Sequence, residues 1–162
     1  MNLSHIKPII VFLLGMLTVL GFAPFYFFPV PVLTFAVLLG FCYHSRTPRQ
    51  AAWWGFCFGM GLFSAGVTWI YVSLHDFGAM PVHTAVIALI VLCAYLSLFP
   101  ALSSWLLIRL RSRSLFLWAL VAAAAWMMCE WLRGTLFTGF PWLTVGYSQA
   151  PHSPLVGFAP LV

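Results

Sequence analysis

Two carboxylates, Asp76 and Glu130, are all that this 162-residue sequence offers for acid chemistry, and they do not form the paired-acid arrangement that hydrolytic acid–base work needs. Glu130 falls within an apolar stretch, where an ionised group is costly unless it is paired or reaches the interface. Arg133 stands at i+3 on the same helix face and is read as its ion-pair partner. Two roles for Arg133 stay open: it neutralises Glu130 at the membrane surface, or part of its guanidinium holds a lipid phosphate or a substrate carboxylate. The run His75-Asp76-Phe77-Gly78 predicts a tight turn in which Asp76 caps the helix that follows or orients His75 as a base. A Ser/His/Asp hydrolase would place these groups beside Ser73 or Ser148, and neither serine sits in a G-x-S-x-G elbow. His75, His83 and His152 lack the i,i+4 spacing that fixes a metal's ligands, so no metal site and no cofactor is expected. Cys42, Cys57, Cys93 and Cys129 stand singly in apolar segments, without C-x-x-C spacing, and read as small packing residues.

The most unusual stretch is Thr138-Gly139-Phe140-Pro141-Trp142, followed by Gly146-Tyr147-Ser148-Gln149. Phe140, Trp142 and Tyr147 suit the headgroup layer of a bilayer, where a ring keeps its body in lipid and its edge in water. They read either as ordinary aromatic anchors or as the lining of a re-entrant loop, since the glycines and proline let the backbone turn back towards the membrane.

The elements that position these groups follow from composition. Hydrophobic residues make up 64% of the chain and charged ones 6%, and the mean hydropathy is +1.06, values outside the range of soluble domains. The net charge of +5 is scattered between apolar runs without a basic stripe, which excludes a nucleic-acid interface. The expected fold is an all-α integral membrane protein of about five transmembrane helices plus the start of a sixth. The spans are about 9–24, 28–43, 51–74, 84–108 and 115–132, with the sixth cut short at 154–162, in one N-terminal transmembrane domain over 1–162 without a soluble domain. Lys7, the apolar run 9–20 and Gly21-Phe22-Ala23 imitate a secretory signal, but the uncharged sequence continues past Pro24 to Tyr43 and predicts a retained segment. Residues 9–43 are short for two crossings; the break at Ala23-Pro24, with Pro29 and Pro31 behind it, favours two short helices over one. Gly55-x-x-x-Gly59 signals close helix packing, and Pro100 predicts a kink.

With a cytoplasmic N-terminus, Lys7, Arg46, Arg49, Arg109, Arg111 and Arg113 all fall inside and only Arg133 falls outside. The segments 75–83 and 133–153 then face the periplasm of a Gram-negative cell.

Ordered motifs along most of the chain carry a resemblance to a known family. They are Gly21-Phe22-Ala23-Pro24-Phe25, Gly55-Phe56-x-Phe58-Gly59-x-Gly61-Leu62-Phe63, Trp69-Ile70-Tyr71-Val72-Ser73 and Phe77-Gly78-x-Met80-Pro81. Ala94-Tyr95-Leu96-Ser97-Leu98, Glu130-Trp131-Leu132-Arg133-Gly134, the two aromatic motifs above and Gly157-x-Ala159-Pro160-Leu161 complete the series. In order and spacing these resemble the membrane-embedded N-terminal part of the apolipoprotein N-acyltransferases. The resemblance implies an enzyme of the bacterial inner membrane that moves an acyl chain from a phospholipid donor to the free α-amino group of the diacylglyceryl-cysteine of an apolipoprotein.

The family's Glu, Lys and Cys, acting as base, oxyanion stabiliser and acyl-accepting nucleophile, belong to a periplasmic nitrilase-like domain. None of the four cysteines here, nor Glu130 nor Lys7, matches them, so no catalytic residue is assigned in this chain, and alone it is expected to be inactive. The resemblance points instead to a lateral entrance for lipids, shaped by Tyr71, His75, Arg133, Phe140, Trp142 and Tyr147. Two alternatives remain: a non-catalytic fragment or half of a split enzyme, and a transporter module, for which one ionisable group near a helix end makes no path.

Overall fold

The computed structural model describes residues 3–150 and 153–154, so the sixth apolar segment expected at 154–162 lies almost wholly outside the described residues. Every regular element among them is helical: α1 (Leu3–Thr18), α2 (Pro29–Tyr43), α3 (Pro48–Gly66), α4 (Trp69–Val72), α5 (Val82–Arg109) and α6 (Leu115–Thr135). Local chemistry sets several boundaries. The Thr47 hydroxyl accepts from the Gln50 N–H at 3.2 Å and Pro48 follows at the first position of α3. Ser114 caps α6 in the same way, through the Leu117 N–H, and α2 opens on Pro29.

Helix α3 is the centre of the bundle, packed between α1 and α5, with α6 on the far side of α5 and α2 against α1 and α3. Its glycines make this possible. A side chain at Gly55 would meet the Pro100 carbonyl oxygen of α5 at 2.3 Å, and one at Gly59 the Ser97 Cα at 2.9 Å. On the opposite flank, Gly61 touches the Phe12 carbonyl oxygen of α1 while Gly15 of α1 touches that of Phe58. The Gly55-x-x-x-Gly59 motif therefore faces α5, and a reciprocal pair of glycines joins α1 to α3, backbone against backbone. Helix α5 runs through Pro100 to Arg109 as one element.

Two helices, Val82–Arg109 and Leu115–Thr138, are long and apolar enough to cross a membrane. A third crossing is available if Pro48–Gly66 and Trp69–Phe77 count as one span. In the span expected at about 51–74 the helix is broken: α3 stops at Gly66, and the chain resumes at Trp69 bent by 52°. Helices α1 and α2, with 16 and 15 residues, reach only about 24 and 22 Å. Between them the buried hydroxyls of Thr18 and Thr34 lie 2.8 Å apart, each also within reach of a carbonyl one turn back; with one proton apiece, one hydroxyl donates to the other, which donates to its own carbonyl.

The connections gather at two ends, Gly21 against Ser148, Gly66 against Leu143 and Trp69 against Trp142 at one, and Tyr43 against Arg111 and Trp118 at the other. Lys7, residues 44–49 and residues 109–113 form a basic end; residues 19–28, 67–81 and 136–150 form an aromatic end.

Candidate functional site

The last turn of α6 and the loop after it are built around Arg133. Its side chain is only 3% exposed although the loop beside it is open to the surroundings. One guanidinium nitrogen donates to the Phe140 carbonyl at 2.7 Å and to the Trp142 carbonyl; the other reaches the Thr144 hydroxyl at 3.4 Å and lies 3.9 Å from the Glu130 carboxylate. The guanidinium also sits over the Phe63 ring of α3, 5.4 Å from its centre. Glu130 in turn accepts the Val145 N–H at 2.9 Å. The i,i+3 pair is therefore a two-handed clamp: the cation fixes residues 140–144 and the anion fixes 145. The Trp126 indole nitrogen is buried near the carboxylate without reaching hydrogen-bond geometry.

The backbone that this clamp holds is forced into a left-handed course. Phe137, Thr138, Gly139 and Leu143 have φ of 49°, 74°, 80° and 57°, which costs a residue other than glycine about 1–2 kcal/mol. Gly139 is required twice over, since a side chain there would strike the Gly134 carbonyl oxygen at 2.0 Å. Leu143 is thrown inward against Gly66, where a Cβ would lie 2.2 Å from the leucine's Cδ1. The loop's leucine thus fills the notch that Gly66 leaves at the end of α3.

The last loop also reaches the first. Gln149 donates its side-chain N–H to the Phe28 carbonyl at 3.2 Å, and Gly21 lies against Pro31 and Ser148. Between the two loops opens a cleft of about 660 Å³ lined by Phe22, Phe25, Tyr26, Gly66, Trp142 and Tyr147, among others. Its wall is overwhelmingly apolar, and Phe25, Trp142 and Tyr147 are half or more exposed. Its size and chemistry suit an acyl chain better than a polar metabolite.

A sequence model described as "Apolipoprotein N-acyltransferase N-terminal domain" matches residues 14–162. The chain belongs to the apolipoprotein N-acyltransferase family. It is 61% identical over 159 residues to the apolipoprotein N-acyltransferase of Nitrosomonas europaea, covering 98% of this chain and 32% of that one. It is 43% identical to that of Vibrio vulnificus, covering 96% of this chain and 30% of the relative, and 44% identical to that of Chromobacterium violaceum, covering 92% and 28%. The chain thus spans about a third of the length of the relatives it matches.

Within this N-acyltransferase domain the six residues singled out from sequence separate into three groups. Trp142 and Tyr147 line the cleft. Arg133 and Phe140 stand outside its lining, joined through the Phe140 carbonyl; the phenyl ring is half-buried against the core. Tyr71 and His75 form a separate pair of rings 5.4 Å apart, with the His75 imidazole bonded to the Met80 carbonyl at 2.8 Å. Two expectations about the 75–78 turn need correction. Asp76 does not cap α5, whose cap position is Pro81, and the His75 imidazole donates its Nδ1–H to the Met80 carbonyl instead of pairing with Asp76. The reason is local: Ser73–Phe77 close a wide π-type turn, which puts the start of α5 beyond the reach of Asp76.

Sequence reasoning missed Phe22, Phe25, Tyr26 and Gly66 as site residues, although the Gly21-to-Phe25 motif carried the signal. Of the described residues, no group of His, Cys, Asp and Glu is placed to hold a metal ion, and the four cysteines are buried as free thiols.

Proposed function

We propose that this chain is the membrane-embedded part of an apolipoprotein N-acyltransferase, and that the cleft at its aromatic end admits the acyl chains of the phospholipid donor and the lipidated acceptor. The observation that carries the reading is the 660 Å³ apolar cleft formed by two family motifs distant in sequence, around Phe22 and around Trp142. Both substrates are lipids, and moving their chains into water would cost about 0.8 kcal/mol per CH₂. An apolar cleft at one end of a helical bundle removes that cost. Trp142, packed on Trp69 at 5.4 Å, and Tyr147 form its rim; Arg133 and Glu130 act by positioning residues 140–145.

In this reading the basic end is cytoplasmic, following the positive-inside rule, and residues 75–83 and 133–153 face the periplasm across the inner membrane. The chain then crosses five times, with α1 and α2 as a short hairpin and α3 continued through its bend by residues 69–77 as one span. Acyl transfer by a thioester intermediate is what the family resemblance implies, and we assign no reacting atom to residues 1–162.

The test is a graft. Residues 1–162 replace the matching region of the Nitrosomonas europaea relative in cells depleted of their own N-acyltransferase, and lipoprotein N-acylation is read by mass spectrometry. The graft is expected to restore acylation, and the W142A/Y147A graft to slow it on the order of tenfold at equal protein level. Failure of a well-expressed parent graft, or full activity of the double variant, overturns the reading.

A further inference from the structure

A second lipid-shaped site lies at the opposite end of the bundle, in the gap between α2 and α6. Its mouth is a pocket of about 370 Å³ walled by Tyr43, Arg111, Ser112, Arg113 and Trp118 at the start of α6. Arg111 is held over the Tyr43 ring, 4.8 Å from its centre, and Trp118 packs edge-on against the same ring at 5.4 Å. The Trp118 side chain is 93% buried in this wall and its indole N–H has no hydrogen-bond partner. Arg111 and Arg113 have no carboxylate to meet, because the chain's two acids, Asp76 and Glu130, both lie towards the aromatic end. The N-terminus of the 21-residue α6 adds its positive dipole to the two guanidinium groups.

One helical turn from Tyr43 and Trp118, a groove of about 440 Å³ opens between α2, α5 and α6, lined by Leu38 and Leu39, by Ser103, Ser104 and Leu107, and by Ala119, Ala122, Ala123 and Trp126, and it reaches Glu130 and Val145. The alanines on α6 keep the groove open. From residue 119 to 130 it follows α6 for about 17 Å. A cationic, hydrogen-bonding mouth set over a long apolar groove matches one molecule in outline: an anionic phospholipid, with its phosphate at Arg111 and Arg113 and one acyl chain along α6. The two arginines at the mouth match the charge of an anionic headgroup, and that complementarity favours a lipid as occupant.

We propose that the α2–α6 gap is a binding site for an anionic phospholipid of the leaflet at the basic end, separate from the cleft that holds Trp142 and Tyr147. It holds a lipid as a fixed component and exposes nothing to chemistry.

The test uses the 162-residue chain purified in mild detergent and offered equal amounts of dioleoyl phosphatidylglycerol and dioleoyl phosphatidylethanolamine, with retained lipid counted by native mass spectrometry. One phosphatidylglycerol per chain is expected, in preference to the zwitterionic lipid. R111Q/R113Q is expected to lose that preference on the order of tenfold, while R111K/R113K keeps most of it. A123F, which fills the groove from an exposed position, is expected to reduce retention of the dioleoyl lipid. Dihexanoyl phosphatidylglycerol and inorganic phosphate are expected to compete weakly. Equal retention of the two lipids, an unaffected R111Q/R113Q or A123F with native helix content by circular dichroism, or full competition by inorganic phosphate would each overturn the proposal. None of these readouts depends on acyl transfer, so it stands or falls apart from the function proposed above.

Discussion

The two ends of this bundle solve the problem of turning a chain round in opposite ways. At the basic end the connections are short, 44–47 and 110–114, their backbone stays in ordinary conformations, and their cations meet no carboxylate, Arg111 resting on the Tyr43 ring. At the aromatic end lie all of the positive-φ residues among those described, namely Tyr26, Ala79, Phe137, Thr138, Gly139 and Leu143. The single cation there is turned inward and buried. Backbone strain of this kind persists only where surrounding contacts over-determine it, and here they do: two guanidinium bonds, a carboxylate bond and a leucine in a glycine notch. The basic end anchors the protein; the aromatic end is shaped.

The sharpest way to break this contrast is Arg133→Ala. Removing it leaves the Phe140 and Trp142 carbonyls and the largely buried Glu130 carboxylate without their partner, and a loss of about 3–5 kcal/mol is expected, read as a fall in the thermal midpoint in detergent together with new protease cuts within 136–150. The matching change at the other end, Arg46→Gln, is expected to shift stability by no more than about 0.5 kcal/mol. A smaller effect is expected from Gly66→Leu, which competes with Leu143 for one space: about 1–3 kcal/mol, with Trp142 fluorescence reporting the displaced loop. Glu130→Gln keeps an oxygen to accept the Val145 N–H while removing the charge, and about 1 kcal/mol is expected. A loss as large as that of Arg133→Ala would mean that the ion pair, and not the Arg133 carbonyl bonds, holds the loop. The smallest change runs the other way. Ala79→Gly, at an exposed position with φ of 49°, is expected to stabilise by up to about 1 kcal/mol, a gain without counterpart in the unstrained loops of the basic end.

What could be seen from sequence follows the same division. Apolar stretches bounded by proline, arginine and serine translate directly into helices, because bilayer thickness and backbone hydrogen bonding leave few other choices. The i,i+3 spacing of Glu130 and Arg133 was equally plain. That the arginine would be buried by the chain seven to eleven residues later was not, since burial depends on Phe137 and Thr138 accepting a conformation their side chains disfavour. The break in α3 was hidden for a related reason: Gly66 permits a helix end without demanding one, and the Leu143 packed on it comes from a distant part of the chain. The cleft was legible only in pieces, because its walls come from segments more than a hundred residues apart.

That separation bears on how such a domain is made. The side chain of Gln149 closes on the carbonyl of Phe28 across 121 positions of sequence, so a growing polypeptide that has already inserted its first hairpin holds half a cleft until nearly all of α6 and the loop after it have left the ribosome. Local helix contacts form early, whereas this long-range closure comes last. The two walls of the cleft therefore meet only after the segment that carries Gln149 has been made, however early the first hairpin inserts.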